Sequence, residues 1–122
     1  MPMIQVRARA GVVEKPIHLL LANVSRVFAE RADVALADVC IEWQTLPQGH
    51  CVVGGESHAP PYALLVSLMT PDSYGEARIA TLLETLAVAL ADNAGLLPEQ
   101  IFISHLPVAS GHVWDQGQVV RW

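Results

Sequence analysis

The feature that most constrains this 122-residue chain is an internal repeat with an offset of 62 residues. Two stretches place apolar residues at helical spacings, and each residue of the first stretch has a counterpart 62 positions later. These residues are Ile17, Leu20, Leu21, Val24 and Phe28, matched by Ile79, Leu82, Leu83, Leu86 and Leu90. The same offset relates Gly49-His50 to Gly111-His112, Gly55 to Gly117, and the strand-like residues 39–41 to 101–103. The sequence is therefore predicted to be a duplicated unit.

Each half of the repeat has the pattern of a strand, a helix and a second strand. Residues 3–9 alternate apolar and polar side chains, as a half-buried strand does. The predicted strands cover residues 3–9, 39–44, 63–69 and 101–105, and the predicted helices cover residues 15–31 and 76–93. Pro16 is expected in the first turn of its helix. Gly95 is expected to form a left-handed cap after the second helix.

Parallel strands joined by a helix cross over right-handedly, so two such units joined edge to edge predict a four-stranded mixed sheet with both helices on one face. This is an α+β, two-layer fold in a single domain made of two halves, residues 1–60 and 61–122 approximately. Leu64, Leu65, Val66, Leu68 and Met69 are apolar on both faces of their strand, a pattern typical of burial on both sides. We therefore expect an oligomer whose subunits cover the second face of the sheet.

Composition argues against several functional classes. The net charge is −5 and the seven basic residues are scattered, which disfavours nucleic-acid binding. No apolar stretch is long enough to span a membrane, and no signal-peptide pattern is present, so a soluble cytoplasmic protein is expected. The cysteines and histidines show no metal-ligand spacing, so no metal is predicted.

Four segments resemble the tautomerase superfamily. Residues 1–4 (MPMI) look like the start of its members, and residues 49–56 (GHCVVGGE) resemble the end of short 4-oxalocrotonate tautomerase units. Residues 54–68 are similar to macrophage migration inhibitory factor, and residues 114–117 (WDQG) are loosely similar to the end of malonate semialdehyde decarboxylases. The resemblance implies a fused pair of β-α-β units, assembly as a homotrimer, and a small-molecule substrate.

The resemblance also implies that Pro2 is the catalytic base. Removal of Met1 before a small residue would expose the secondary amine of Pro2, and an α-amino group ordinarily has a pKa of about 7.7 to 8.0. Burial would disfavour the charged form further. Such an amine could take a proton from carbon and return it elsewhere in the substrate, without any cofactor. The alternative is that a proline after the initiator methionine is merely structural.

Six further residues are substrate-binding candidates: Asp38, Thr70, Phe102, Ser104, Trp114 and Asp115. Asp38 matches by position an acidic residue of the decarboxylase branch, but an aspartate that leads into a strand more often caps a turn. Thr70 begins a loop in which many members of the superfamily carry arginines that bind the substrate anion, and residues 70–74 here contain none. This departure argues against an oxoacid dianion as the substrate.

The remaining four candidates lie near the C-terminus. Phe102 and Ser104 should share one face of the last core strand, where the migration-inhibitory-factor branch contributes groups across the trimer interface. Trp114 and Asp115 follow that strand; in other branches an aromatic or acidic residue here contacts substrate or activates water. A tryptophan in an interface core is equally consistent with the sequence.

Three functions stay open at this point. The first is keto-enol tautomerization of a small oxoacid or enol. The second is cofactor-independent dehalogenation, hydration or decarboxylation of a three-carbon acid, which would need a water-orienting carboxylate such as Asp38 or Asp115. The third is a non-catalytic trimeric binding protein with the same fold.

Overall fold

A computed structural model describes residues 2–122, and Met1 lies outside the described residues. The elements in chain order are β1 (Met3–Arg9), α1 (Ile17–Ala32), β2 (Cys40–Leu46), β3 (Val52–Val53), β4 (Glu56–Ser57), β5 (Leu64–Pro71), α2 (Glu76–Ala94), β6 (Ile101–Val108), β7 (Val113–Asp115) and β8 (Gln118–Val120). Short 3₁₀ turns over Leu36–Asp38 and Pro98–Gln100 precede β2 and β6. Neither helix is long and apolar enough to cross a membrane.

The predicted four-stranded mixed sheet is confirmed, with the strand order β2-β1-β5-β6. β1 runs parallel to β2, β5 runs parallel to β6, and the two halves join where β1 pairs antiparallel with β5. At the centre of that junction Gln5 pairs with Ser67, its own counterpart in the repeat. A pseudo-twofold axis therefore passes between these two residues and relates one half of the sheet to the other.

The offset of 62 also extends into the turns. The hairpin β3–β4 has its counterpart in the hairpin β7–β8, and neither hairpin was predicted as strand from the sequence. Apart from Gly11, the described residues with positive φ also occur in matching pairs, which are Asp33 and Gly95, Gly49 and Gly111, Gly54 and Gln116, and Gly55 and Gly117. The duplication is thus visible in backbone conformation as well as in apolar spacing.

The helix ends agree with the sequence prediction at one point and differ at another. Gly95 caps α2 in the left-handed conformation, with φ 67, and the N–H of Leu96 donates to the carbonyl of Ala91 at 3.0 Å. Pro16 does not lie in the first turn of α1 as expected. Its ψ of 117 is extended, so it is the residue before the helix, and its carbonyl accepts from Leu20 at 3.3 Å.

Both helices cover the same face of the sheet and form one core with it. The inward residues of β1 and β5 pack with the apolar stripes of the helices; the central members of this core are Ile4, Val6, Val24, Phe28, Leu64, Val66, Leu68, Leu82, Leu86 and Leu90. The opposite side of the sheet, called the open face below, is covered by neither α1 nor α2. On the open face Leu65, Phe102 and Leu106 stay 42%, 41% and 43% exposed.

Candidate active site

Pro2 lies immediately before β1 and its side chain is fully buried. Side chains alternate along a strand, so Pro2 points to the same helix-covered face as the buried Ile4, two residues later. The carbonyl of Pro2 accepts a hydrogen bond from the N–H of Cys40 at 3.1 Å, which fixes Pro2 against the start of β2. The residue is therefore held rigidly at one end of a central strand, called the Pro2 end below.

Thr70 lies beside Pro2 at the end of β5. The β1–β5 ladder pairs Met3 with Met69, and one further step in this antiparallel register places Thr70 opposite Pro2. Thr70 is 1% exposed, and among residues 2–122 it is the one polar residue that is buried. Because buried polar groups require partners, its hydroxyl needs a defined hydrogen-bond arrangement.

That arrangement is provided by His105 and by the backbone. The hydroxyl oxygen of Thr70 lies 2.7 Å from Nε2 of His105 and 3.2 Å from the carbonyl oxygen of Pro71. A hydroxyl carries a single proton, so both hydrogen bonds form together only if the His105 Nε2–H donates to Thr70 and Thr70 donates to Pro71. This chain of hydrogen bonds selects the Nε2-protonated form of His105.

The Thr70–His105 pair has no equivalent at the other end of the sheet. The pseudo-twofold axis relates Thr70 to Ala8 and His105 to Trp43, and it relates Pro2 to Leu64. Ala8 and Leu64 are buried, and Trp43 packs against the core. Apolar residues occupy the equivalent positions at the other end of the sheet, so the fold does not require polar residues there. The Thr70–His105 pair is therefore specific to the Pro2 end.

Asp38 also lies at the Pro2 end. It is the last residue of the 3₁₀ turn that leads into β2, two residues before Cys40, and it is exposed. The turn is closed by the backbone N–H of Asp38, which donates to the carbonyl of Ala35 at 2.9 Å. Its carboxylate is therefore not required to close the turn and faces solvent.

Phe102 and Ser104 lie on the open face, on the other side of the sheet from the Pro2 side chain. As predicted, they share one face of β6, where Phe102 pairs with Leu65 and Ser104 pairs with Ser67. The ring of Phe102 packs against Tyr62 with a centroid distance of 5.0 Å and an interplanar angle of 37°. Within one chain, the structure does not bring these two residues together with Pro2.

Trp114 and Asp115 belong to the hairpin that follows β6, beyond the end of the sheet at which Pro2 and Thr70 lie. The Trp114 side chain is 71% exposed. A carboxylate oxygen of Asp115 accepts a hydrogen bond from the N–H of Gln116 at 2.9 Å, which supports the positive φ of Gln116 in the hairpin turn. The hairpin is anchored to the sheet by the C-terminal Trp122, whose indole N–H donates to Asp72 at 3.3 Å.

Among residues 2–122, three cavities lie away from the predicted site residues. One, of about 390 Å³, lies over the centre of the open face between Gln5, Glu42 and Gln44. The other two lie at the end of the sheet opposite to Pro2. Within residues 2–122, no group of three or more His, Cys, Asp or Glu side chains could hold a metal ion.

No protein-family model and no curated protein matches this sequence. Solved structures do match it over nearly its whole length. The asymmetric trimer of R7 fused 4-OT superposes with a TM-score of 0.81 at 14% identity, covering 96% of this chain and 94% of the other. Pt0534 inactivated by 2-oxo-3-pentynoate gives a TM-score of 0.80 at 18% identity, with 97% and 95% covered. N1, a member of the cis-3-chloroacrylic acid dehalogenase family, gives 0.77 at 16%, with 97% and 82% covered.

The chain has the tautomerase-superfamily fold. The predicted resemblance is thus confirmed at the level of architecture, in the doubled β-α-β form. Within this tautomerase fold, His105 is not among the site residues predicted from the sequence, because it has no Asp, Glu or Cys partner at metal-ligand spacing. A sequence signal was available, since the offset of 62 aligns His105 with the aromatic Trp43 and Thr70 with the small apolar Ala8.

Proposed function

We propose that this protein is a tautomerase-superfamily enzyme that uses the amine of Pro2, freed by removal of Met1, as general base and acid. Its reaction is keto-enol tautomerization of a small oxoacid or enol, without a cofactor. The observation that carries this proposal is the fully buried Pro2 at the start of a central strand, beside a polar pair that the other half of the repeat lacks.

The surroundings of Pro2 suit proton transfer. A secondary amine in an apolar environment is disfavoured as the ammonium ion, which leaves the nitrogen lone pair available as a base. Thr70 presents a hydroxyl at the same end of the sheet, held through His105. A hydroxyl or a backbone N–H near the substrate carbonyl would stabilise the negative charge that develops on oxygen.

We further propose that the working protein is a homotrimer. The fused 4-OT structures that share this fold are trimers. The open face of this chain exposes Leu65, Phe102 and Leu106, which supports its coverage by other subunits.

The test is ketonization of phenylenolpyruvate by protein without an N-terminal tag. Intact-mass measurement first establishes that Met1 is absent. Pro2→Ala is then expected to lower kcat/KM by about 10²- to 10⁴-fold, the usual contribution of a general base. Pro47→Ala, at an exposed loop proline, serves as the matched control and should retain wild-type activity. Equal rates for wild type and Pro2→Ala, or a retained Met1, would refute the catalytic role of Pro2.

Hydrolytic dehalogenation is the second candidate, because Asp38 presents a free carboxylate at the Pro2 end and N1 of the dehalogenase family shares the fold. Release of halide from cis-3-chloroacrylic acid by wild type, and its loss in Asp38→Asn, would favour this reaction. Asp92→Asn, on the exposed side of α2, is the control. Absence of both activities in protein lacking Met1 would favour a binding protein with this fold.

A further inference from the structure

The two hydrogen bonds of the Thr70 hydroxyl differ in length. Its oxygen lies 2.7 Å from Nε2 of His105, which is shorter than the usual N–H···O distance of about 2.9 Å. The bond from Thr70 to the carbonyl of Pro71 is 3.2 Å long, beyond the usual O–H···O distance of about 2.7–2.8 Å. The hydroxyl oxygen is therefore held tightly by His105, whereas its proton is held loosely and can turn toward a better acceptor.

Strand register places this hydroxyl opposite Pro2. Thr70 lies one step beyond the paired residues Met3 and Met69, and directly opposed side chains of an antiparallel pair have Cβ atoms about 4.5–5.5 Å apart. Pro2 and Thr70 both face the helix-covered side of the sheet, and both are buried. A single chain therefore places the Thr70 hydroxyl and Pro2 together, without a contribution from a neighbouring subunit.

This arrangement suits the reaction proposed above. A base that enolizes a carbonyl compound takes a proton from the carbon beside the carbonyl group, so the oxygen that gains negative charge lies two bonds from the attacked carbon. A substrate that brings this carbon to the Pro2 nitrogen also brings its carbonyl oxygen close to the Thr70 side chain. A hydroxyl at that position stabilises the enolate as its charge develops.

His105 fixes the direction of the Thr70 hydroxyl. His105 is half-buried and lies opposite Leu68 on β6, on the same helix-covered face as Thr70. Its Nε2–H occupies one lone pair of the Thr70 oxygen, so the oxygen stays in place when the proton of Thr70 turns away from Pro71. A hydroxyl that accepts a hydrogen bond is also a stronger donor, because hydrogen bonds in a chain polarise one another.

We propose that Thr70 is a catalytic residue that donates a hydrogen bond to the enolate oxygen of the substrate, and that His105 is the positioning residue that holds Thr70 for this purpose. Without substrate, the Thr70 proton points to the carbonyl of Pro71; with substrate, it points to the substrate oxygen. No covalent bond of Thr70 or His105 forms or breaks, and the transferred proton moves only through Pro2. Both roles rest on the proposed function.

Kinetics of phenylenolpyruvate ketonization test these roles on the full-length protein without Met1. Thr70→Val is expected to lower kcat by about 10²- to 10³-fold, the usual cost of removing one donor to an oxyanion. His105→Leu should lower kcat by about tenfold or more with little change in KM, because it misplaces a donor that acts in the transition state. His105→Gln keeps a side-chain N–H donor and should recover most of this loss.

The double variant decides whether His105 acts through Thr70. Adding His105→Leu to Thr70→Val should then cost no further activity, whereas a purely structural His105 would lower kcat by the same factor in both backgrounds. His18→Leu, at an exposed position of α1, is the matched control and should keep the wild-type kcat. Rates are compared at a temperature at which circular dichroism shows every variant to be folded.

The tautomer of His105 provides a second test, which needs neither a variant nor activity. ¹⁵N NMR of histidine-labelled wild type at about pH 8, where imidazole is ordinarily neutral, should show the proton on Nε2 of His105. A proton on Nδ1, wild-type kcat in Thr70→Val or His105→Leu, or equal effects of His105→Leu in both backgrounds would each overturn the proposal. If Pro2→Ala is inactive in the same assay, these outcomes leave the proposed function standing. Equal rates for wild type and Pro2→Ala would refute both.

Discussion

Replacing Thr70 by valine tests whether the polar pair at the Pro2 end stabilises the protein. Valine has nearly the shape of threonine, so Thr70→Val removes the hydroxyl and leaves packing almost unchanged. Thr70 is 1% exposed, and its hydroxyl oxygen lies 2.7 Å from Nε2 of His105, which would be left without that partner. Removing one partner of a buried hydrogen bond costs about 1–3 kcal/mol.

This cost converts into a measurable shift of the melting temperature. The entropy of unfolding is about 2.1 cal/mol/K per residue, so 1 kcal/mol corresponds to roughly 4 °C for a chain of 122 residues. Thr70→Val is therefore expected to lower Tm by roughly 4–12 °C in differential scanning calorimetry at a fixed protein concentration.

Thr81→Val is the matched control for this experiment. Thr81 lies exposed on α2, and its hydroxyl donates to the carbonyl of Ala77 at 3.1 Å. The same chemical change at this solvated site should shift the free energy of unfolding by less than about 0.5 kcal/mol. If Thr70→Val and Thr81→Val melt at the same temperature, the Thr70–His105 hydrogen bond gives no net stability and the reasoning is wrong.

Three further predictions concern the core, the helix caps and the assembly. Leu86→Ala, at a fully buried position of α2, should lower the free energy of unfolding by about 2–5 kcal/mol. Leu97→Ala, at a position 65% exposed, should lower it by less than about 0.5 kcal/mol. Equal midpoints of urea unfolding for the two variants would contradict this prediction. Gly95→Ala should destabilise the protein by about 1 kcal/mol, because the φ of residue 95 is 67 and this left-handed conformation disfavours a side chain. Asp33→Gly, at the matching left-handed position, should stabilise the protein. Shifts of the melting temperature in the same direction for both variants would contradict the prediction. Leu65→Asp on the open face should dissociate the proposed trimer in sedimentation velocity while each chain keeps its far-UV circular dichroism, and an intact trimer would argue against burial of this face.

The architecture was accessible from the sequence because its signals are local and occur twice. Apolar residues at helical spacing predicted both helices, and the offset of 62 predicted which strands correspond. Gly95 marked the end of α2 correctly, since few other residues adopt its left-handed conformation. Pro16 was placed one step too far into α1, because proline fixes φ but leaves ψ to the surrounding chain.

The grouping of the candidate site residues was less accessible. Asp38 and Thr70 are 32 positions apart in sequence, and only the pairing of β1 with both β2 and β5 places them at the Pro2 end. Phe102 and Ser104 lie on the opposite face of the sheet, as strand alternation dictates once the helix-covered face is known.

The sequence by itself determined the duplication, the order of elements and the position of Pro2 at the start of the first strand, because periodicity and turn residues act over short stretches of chain. Only the tertiary structure decided the partners of those residues. Strand register brought Thr70 beside Pro2 and left His105 as the hydrogen-bond partner of Thr70. Such contacts join residues distant in the chain, and they follow from which strands pair and which face the helices cover.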